Sequence, residues 1–204
     1  MTQDSDEDPT LQLGAQPSPA STAPSVHGFR AGTIWAERYR LIAELGAGGM
    51  GKVFRTEDLE LREEVAIKFL NVAANADPAK GDLLRGEVRT ARLVTHPNVC
   101  RVHAFGDVDG QNFLTMEYVD GEDLGSLMRR IGKLPKEKAL QIAMQIASGL
   151  NAAHERGVIH RDLKPGNVMI DSEGEVRLTD FGLAASLESL REGHPIANTP
   201  TYMA

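Results

Sequence analysis

One glycine-rich stretch restricts the fold of this chain more than any other feature: residues 46–53 read GAGGMGKV. The sequence before it alternates like a strand, and Val53 and the residues after it continue as a second strand. A dinucleotide-binding fingerprint requires a helix after its last glycine, and a Walker A loop requires a hydroxyl residue where Val53 stands. Two interpretations remain: a hairpin whose glycines let backbone amides approach nucleotide phosphates, and a plain flexible hairpin.

The predicted elements are strand-rich in the first half of the chain and helix-rich in the second, which predicts a two-lobed α+β protein. Strands are predicted at residues 39–45, 53–57 and 65–71, a helix at 82–94, and a hairpin at 99–106 and 111–118. Helices at 124–131 and 136–156 follow, and then short strands at 158–159, 168–170 and 176–178.

Residues 1–32 differ in composition from the rest of the chain, being rich in Pro, Ser, Thr and Gly and poor in large apolar side chains. Such a segment cannot bury enough apolar surface to offset its ordering entropy. We therefore expect a disordered tail over residues 1–32 and one folded domain over residues 33–204. Within that domain, a small lobe is expected at about 33–119 and part of a large lobe at about 120–204.

The composition excludes several classes of protein. The formal net charge of −7 argues against binding of nucleic acid through bulk charge, and the single cysteine, Cys100, excludes an internal disulfide. The chain has no apolar run near the roughly 18 residues needed to span a bilayer, and its acidic start is unlike a signal peptide. We expect a cytoplasmic protein with no membrane segment in this chain.

Further short motifs follow the glycine-rich stretch in a fixed order. Residues 65–68 read VAIK on the third predicted strand, and Glu87 lies on the helix that follows. Residues 160–167 read HRDLKPGN after the long helix, and residues 180–182 read DFG. With these motifs in this order and spacing, the chain resembles the eukaryotic-type serine/threonine protein kinases, and most closely their bacterial members.

The resemblance implies the two-lobed protein-kinase fold, with ATP and Mg²⁺ as cofactors and a protein Ser or Thr hydroxyl as acceptor. Asp162 would orient that hydroxyl and accept its proton, and Lys164 would stabilise the transferred phosphate. Thr199 would bond the side chains of Asp162 and Lys164. Asn167 and Asp180 would bind Mg²⁺, because amide and carboxylate oxygens are hard ligands that suit this ion. Lys164 also favours Ser/Thr over Tyr specificity and argues against the small-molecule kinases of related fold.

The same resemblance assigns the nucleotide pocket. Met116 would be the gatekeeper residue, and backbone groups of Glu117 and Val119 would bond the adenine. Asp123 would contact the ribose. The expected nucleotide-binding residues are Leu45, Gly46, Gly48, Gly51, Val53, Ala66, Lys68, Met116, Glu117, Val119, Asp123 and Met169.

Two expectations concern activation. Lys68 would contact the α- and β-phosphates of ATP and would be held in place by Glu87. Arg161 resembles the arginine of kinases that are switched by activation-loop phosphorylation, which is compatible with autophosphorylation and self-association. Ser186 and Ser189 are the hypothesised phosphorylation sites, and the alternative is that both are ordinary loop serines.

Ala204 matches the first residue of the family's A-P-E motif. We therefore expect a complete small β-rich lobe and only the first part of the helical large lobe. Two functions remain open on this basis. One is a serine/threonine protein kinase, and the other is a truncated, catalytically incompetent kinase fragment that binds nucleotide or a partner.

Overall fold

The computed structural model describes residues 29–48, 51–70 and 78–181. These ranges contain strands, helices and one 3₁₀ turn at Pro165–Asn167. In chain order the strands and helices are β1 (Ile34–Trp35), β2 (Tyr39–Gly48), β3 (Gly51–Asp58), β4 (Glu63–Leu70), α1 (Pro78–Ala91), β5 (Val102–Val108), β6 (Gln111–Glu117), β7 (Gly121–Asp123), α2 (Leu124–Ile131), α3 (Lys136–His154), β8 (Val168–Asp171) and β9 (Val176–Leu178).

The small lobe is one antiparallel sheet with the strand order β1-β2-β3-β4-β6-β5. β2 and β3 form the hairpin that carries the glycine-rich stretch. Because side chains alternate along β4, Ala66 and Leu70 pack on the face that α1 covers, while Phe69 packs on the opposite face. Lys68, which lies between Ala66 and Leu70 in this alternation, therefore shares their face.

An aromatic cluster covers the outer face of this sheet. Trp35 packs edge-on against Phe69 and Phe113, with ring centroids 5.4 and 6.2 Å apart. Phe29 contacts Trp35 and Phe69 at centroid distances of 4.9 and 4.4 Å. The prediction that Phe29 belongs to a disordered tail is wrong for this residue, because its ring is buried against the sheet. A buried aromatic side chain removes enough apolar area from water to fix the backbone that carries it.

The second lobe contains α2, α3 and the antiparallel sheet β7-β8-β9. α3 packs against β9, with Ile142 and Leu178 in one buried cluster. Gly149 permits this contact, because a Cβ there would lie 3.0 Å from Cδ1 of Leu178 and 2.8 Å from the carbonyl oxygen of Asn98. The amide of Cys100 donates to the carbonyl of Leu178, and the amide of Leu178 donates to that of Asn98, both at 2.9 Å. These bonds attach β9 to the segment that leads into β5 of the small lobe.

The predicted two-lobed α+β fold is confirmed. The predicted strand at 158–159 is wrong, because the amide of Val158 donates to the carbonyl of Ala153 and closes the turn that ends α3. Gly157 in this turn has a φ of 73°, the left-handed conformation that favours glycine after a helix. α1 begins and ends earlier than predicted, and the pattern does not predict β1 or β7, which are only 2 and 3 residues long. In the described ranges, no helix is both long enough and apolar enough to cross a membrane.

Candidate active site

A cavity of about 450 Å³ lies between the two lobes. It gathers most of the predicted site residues, namely Leu45, Gly46, Val53, Ala66, Lys68, Met116, Glu117, Val119, Asp123, Asn167, Met169 and Asp180. Gly48 and Gly51 do not line it and instead lie opposite each other at the end of the β2–β3 hairpin. Gly51 is required for packing, because a Cβ there would lie 1.8 Å from the carbonyl oxygen of Phe69 on β4.

One end of the cavity is apolar. Ala66 and Met116 lie opposite each other in the ladder between β4 and β6, and both are buried. Val53 on β3 and Met169 on β8 line the same space from the two lobes. Cys100 also lines this cavity, and burial raises the pKa of its thiol, which therefore stays protonated at neutral pH. This end can enclose a flat apolar group.

The other end carries charged side chains. Nζ of Lys68 lies 2.6 Å from Oδ1 of Asp180, and Lys68 is only 5% exposed. Burial opposes ionisation of the Asp180 carboxyl, but the ammonium of Lys68, with smaller contributions from His160 and Lys164, outweighs it, so the pKa of Asp180 lies below its usual value. Asp180 also has a φ of 63°, a sparsely populated conformation for a residue other than glycine. Such conformations concentrate at functional sites.

Glu87 pairs with Arg161 rather than with Lys68. Its Oε1 lies 3.2 Å from Nη1 of Arg161, so the prediction that Glu87 holds Lys68 is wrong for this structure. The physical reason is competition between carboxylates, since the Lys68 ammonium already has Asp180 at 2.6 Å. The position of α1 then brings Glu87 to the guanidinium of Arg161, which lies in the loop of residues 160–167. A second cavity of about 380 Å³ lies beside this pair and is lined by both of its members.

The loop of residues 160–167 is held by its own hydrogen bonds. Asp162 is 8% exposed, and its Oδ2 lies 2.6 Å from Nζ of Lys164. The side-chain amide of Asn167 donates to the backbone carbonyl of Asp162 at 2.8 Å and to its Oδ2 at 3.2 Å. The ring of His160 packs against that of Phe181 with centroids 4.5 Å apart and a tilt of 48°, and burial lowers the pKa of its imidazole. The loop therefore presents a fixed carboxylate beside a fixed ammonium group.

The donor atoms of Asn167 and Asp180 fit Mg²⁺. The amide nitrogen of Asn167 is engaged by Asp162, so its amide oxygen points away from that residue. Amide and carboxylate oxygens are suitable ligands for this ion, which usually takes one or two protein ligands and completes its shell with phosphates and water. Among the described residues, no group of three or more His, Cys, Asp or Glu side chains forms an all-protein metal site. Phosphate oxygens of a ligand and water molecules would complete the shell of an ion held by Asn167 and Asp180.

Asp123 lines the cavity but has a second role as the N-cap of α2. Its Oδ1 accepts a hydrogen bond from the amide of Ser126 at 2.9 Å, and its Oδ2 accepts one from the Ser126 hydroxyl. A ribose contact would have to share these oxygens. The predicted positions Ser186, Ser189 and Thr199 lie outside the described residues.

The cavity also has lining residues that the sequence analysis does not assign to the site: Cys100, Tyr118, Gly121, Glu122, Gly166 and Thr179. Tyr118, Glu122, Gly166 and Thr179 each adjoin a predicted site residue along the chain, so their neighbours could have indicated them. Cys100 had no such signal, because a long-range bond to Leu178 on β9 places it.

Comparison with known proteins agrees with this geometry. Residues 39–204 match the family model described as a protein kinase domain. The serine/threonine-protein kinase PknA of Mycobacterium tuberculosis is 38% identical over 179 residues, which cover 85% of this chain and 41% of that relative. PknH of Mycobacterium bovis is 40% identical over 168 residues, which cover 81% of this chain and 28% of that relative.

A solved structure is also similar. The crystal structure of the M. tuberculosis PknI kinase domain matches with a TM-score of 0.67 and 33% identity, covering 77% of this chain and 62% of that chain. The present chain spans less than half the length of the curated relatives PknA and PknH. On its sequence motifs, its two-lobed fold and these matches, the chain belongs to the bacterial Hanks-type serine/threonine protein kinase family.

Proposed function

We propose that this chain carries the ATP-dependent phosphotransfer site of a serine/threonine protein kinase, which acts on Ser or Thr hydroxyls of a protein substrate in signalling. One observation supports this most directly. The Lys68 ammonium, the Asp180 carboxylate and the Asn167 amide converge at one end of the cavity, and the Asp162–Lys164 pair adjoins them.

The apolar end of the cavity is suited to adenine. Ala66 and Val53 of the small lobe and Met169 of the other lobe would contact the two faces of the base. Backbone groups of Glu117 and Val119 would bond its edge, since both residues line the cavity where β6 ends. Pockets of this kind, mostly apolar with a few placed polar groups, are typical of nucleotide ligands.

The charged end is suited to the phosphates. Lys68 would leave Asp180 and contact phosphate oxygens, and Asn167 and Asp180 would bind Mg²⁺. When bound, that ion neutralises charge on the phosphates and stabilises the charge that develops during transfer. This exchange is electrostatically balanced, because Lys68 and Asp180 each trade one opposite charge for another.

The chemical step would use Asp162 and Lys164. Asp162 would accept a hydrogen bond from the substrate hydroxyl, orient it toward the phosphorus and take its proton. Lys164, whose ammonium lies 2.6 Å from that carboxylate, would stabilise the phosphate being transferred. Positioning and charge stabilisation account for most of the catalysis in reactions of this class.

Transfer of labelled phosphate tests the proposal. The purified chain is incubated with [γ-³²P]ATP, Mg²⁺ and a generic basic protein, and the labelled amino acids are identified. We expect label on Ser and Thr, and a loss of about 10²–10⁴-fold in rate for Asp162→Asn with ADP binding retained. Asp109→Asn is the matched control, because Asp109 is exposed in the β5–β6 turn at a φ of 51°, which Asn also tolerates.

The alternative function is nucleotide binding without transfer. The pairing of Glu87 with Arg161 and of Lys68 with Asp180 favours it, because in this arrangement Glu87 does not hold the lysine. ADP binding with no transfer above the Asp162→Asn level would support this alternative and contradict the kinase proposal for this chain. Transfer that is lost only in Asp162→Asn would exclude it.

A further inference from the structure

Glu117 lies between two cavities. It lines the large cavity assigned above to the nucleotide, and it also lines a smaller cavity of about 280 Å³ on the other side of the strand end. The smaller cavity is lined by Thr95, His96, Pro97, Val99, Arg101, Glu117 and Arg177. Glu117 is thus a residue whose backbone can serve one space while its side chain is bound in the other.

The side chain of Glu117 is held by two donors. Its Oε1 accepts a hydrogen bond from Nε of Arg177 at 3.3 Å, and its Oε2 accepts one from the backbone amide of Arg101 at 3.2 Å. Its backbone is held as well, because its amide donates to the carbonyl of Arg101 at 2.9 Å. The carbonyl of Glu117 accepts a contact from Sγ of Cys100 at 3.5 Å. All of these partners belong to segments other than β6.

The ladder of the small lobe ends at Glu117. Glu117 and Val65 form the last residue pair between β4 and β6. The strand ladder therefore supports the connection to the second lobe on the β4 side only. Arg177 supplies a tie on the other side, because it lies on β9 of the second lobe, opposite Met169 on β8. Its guanidinium also lies 3.7 Å from the carboxylate of Asp171, a second acidic partner.

We propose that Arg177 is a positioning residue for nucleotide binding: it holds the Glu117 side chain so that the backbone of the interlobe connection stays at the edge of the adenine. This inference rests on the proposed ATP site. Arg177 is not among the residues that line the large cavity, so it acts through Glu117 rather than by touching the nucleotide. A residue that holds the site in its binding conformation lowers the entropy cost of binding. Arg177 can therefore raise the affinity for the nucleotide without contacting it.

The expected effect is moderate and confined to the base. The side chains of Arg177 and Glu117 are 22% and 35% exposed, so water screens the pair and its loss is milder than that of a buried one. We expect Arg177→Gln to weaken ADP binding up to about fivefold, the upper range for a solvent-screened ion pair. Inorganic tripolyphosphate, which contacts only the charged end, should bind as it does to the parent chain.

Calorimetric titration of the full chain with ADP and with tripolyphosphate tests the proposal. The variants are Arg177→Gln, Glu117→Gln and the double variant, with Arg40→Gln as the matched control. Arg40 forms an exposed pair with Glu57 at 2.9 Å across β2 and β3, on residues that do not line the nucleotide cavity. We expect each single variant to lose affinity for ADP, the double variant to lose no more than either single one, and the control to be unchanged.

The transfer assay provides a second measurement. A positioning residue for the base should raise the KM for ATP while kcat stays near that of the parent chain. Equal ADP affinity of Arg177→Gln and the parent would overturn the inference, and so would an equal loss for tripolyphosphate. If circular dichroism shows that Arg177→Gln does not fold, the result for Glu117→Gln decides. A parent chain that binds no ADP would overturn the proposed function as well, whereas a failure confined to the variants leaves that function standing.

Discussion

The two ends of the nucleotide cavity are built in different ways. At the apolar end, the positions of Ala66 and Met116 follow from the register of neighbouring strands, and their side chains are fixed by packing. At the charged end, Lys68 and Asp180 belong to different lobes, and each side chain has taken an opposite charge as its partner. The first end is set by local structure, whereas the second depends on how the lobes and α1 stand relative to each other.

This difference shows which parts of the site are ready for a ligand. An apolar wall needs no rearrangement to receive a base. The charged end must exchange partners first, because Lys68 is bound to Asp180 and Glu87 is bound to Arg161. Binding at the two ends should therefore respond differently to substitution, to Mg²⁺ and to pH.

Among the substitutions that compare the two ends of the cavity, Asp180→Asn should produce the largest change. The variant removes a proposed Mg²⁺ ligand and the partner of Lys68, so we expect phosphotransfer to fall by about 10²–10³-fold. ADP binding without Mg²⁺ should persist, because the apolar end is untouched. The measurement is the initial rate of transfer at saturating ATP and Mg²⁺, with Asp109→Asn as control. A rate close to that of the parent would contradict the proposed role of Asp180 as a ligand of the catalytic Mg²⁺.

Ala66→Leu tests the apolar end. The larger side chain would occupy part of the space assigned to the base, so we expect ADP affinity to fall at least about tenfold. Ala147→Leu is the matched control, because Ala147 is exposed on α3 and does not line the cavity. Calorimetry with ADP measures the effect. Unchanged affinity in Ala66→Leu would place the base elsewhere.

His160→Phe tests the support beneath the charged end. Burial holds the pKa of His160 below 6.5, so between that lowered pKa and pH 6.5 the unfolded chain binds more protons than the folded one. Stability should therefore fall as the pH drops through this window, by up to about 1.4 kcal/mol per pH unit.

Phe in place of His160 preserves ring packing on Phe181 and removes the titrating group. Its free energy of unfolding should lose this contribution to the pH dependence. Denaturant unfolding between about pH 5 and 7.5 measures the difference between the two chains. An identical slope of unfolding free energy against pH in both chains would mean that the pKa of His160 does not change on unfolding.

Arg161→Gln should produce the smallest change. Release of Glu87 lets that carboxylate compete for Lys68, which frees Asp180 for Mg²⁺ a larger part of the time. Because the Arg161 side chain is 44% exposed, we expect the half-saturating Mg²⁺ concentration in the transfer assay to fall only about threefold. Arg85→Gln, which breaks an exposed pair with Asp82, is the control. A higher Mg²⁺ requirement would contradict the exchange of partners.

The fold and the membership of the cavity were largely predictable from the sequence. Alternation along β4 places Ala66 and Lys68 on one face, and the spacing of the short motifs brings Asn167 and Asp180 to the same cavity. The family resemblance supplied the roles expected of these residues. Such predictions succeed because the register of a strand and the geometry of a loop depend on residues that are near one another in the sequence.

The partners of the charged groups were not predictable in this way. Glu87 pairs with Arg161, whereas the family resemblance implies Lys68 as its partner, and the partner depends on the position of a whole helix rather than on any local pattern. Phe29 was misassigned for a similar reason. The polar composition around Phe29 predicts a disordered tail, but the Phe29 ring packs against Trp35 on the outer face of the sheet.

Trp35 is the single tryptophan of the chain, and it is buried in that aromatic cluster. Its fluorescence therefore reports the packing of the small lobe, whereas far-ultraviolet circular dichroism is weighted toward helices such as α3 in the other lobe. Unfolding curves recorded by the two signals should coincide if the lobes unfold as one cooperative unit and separate if they do not. A single indole ring thus allows independent unfolding of the two lobes to be measured without any added label.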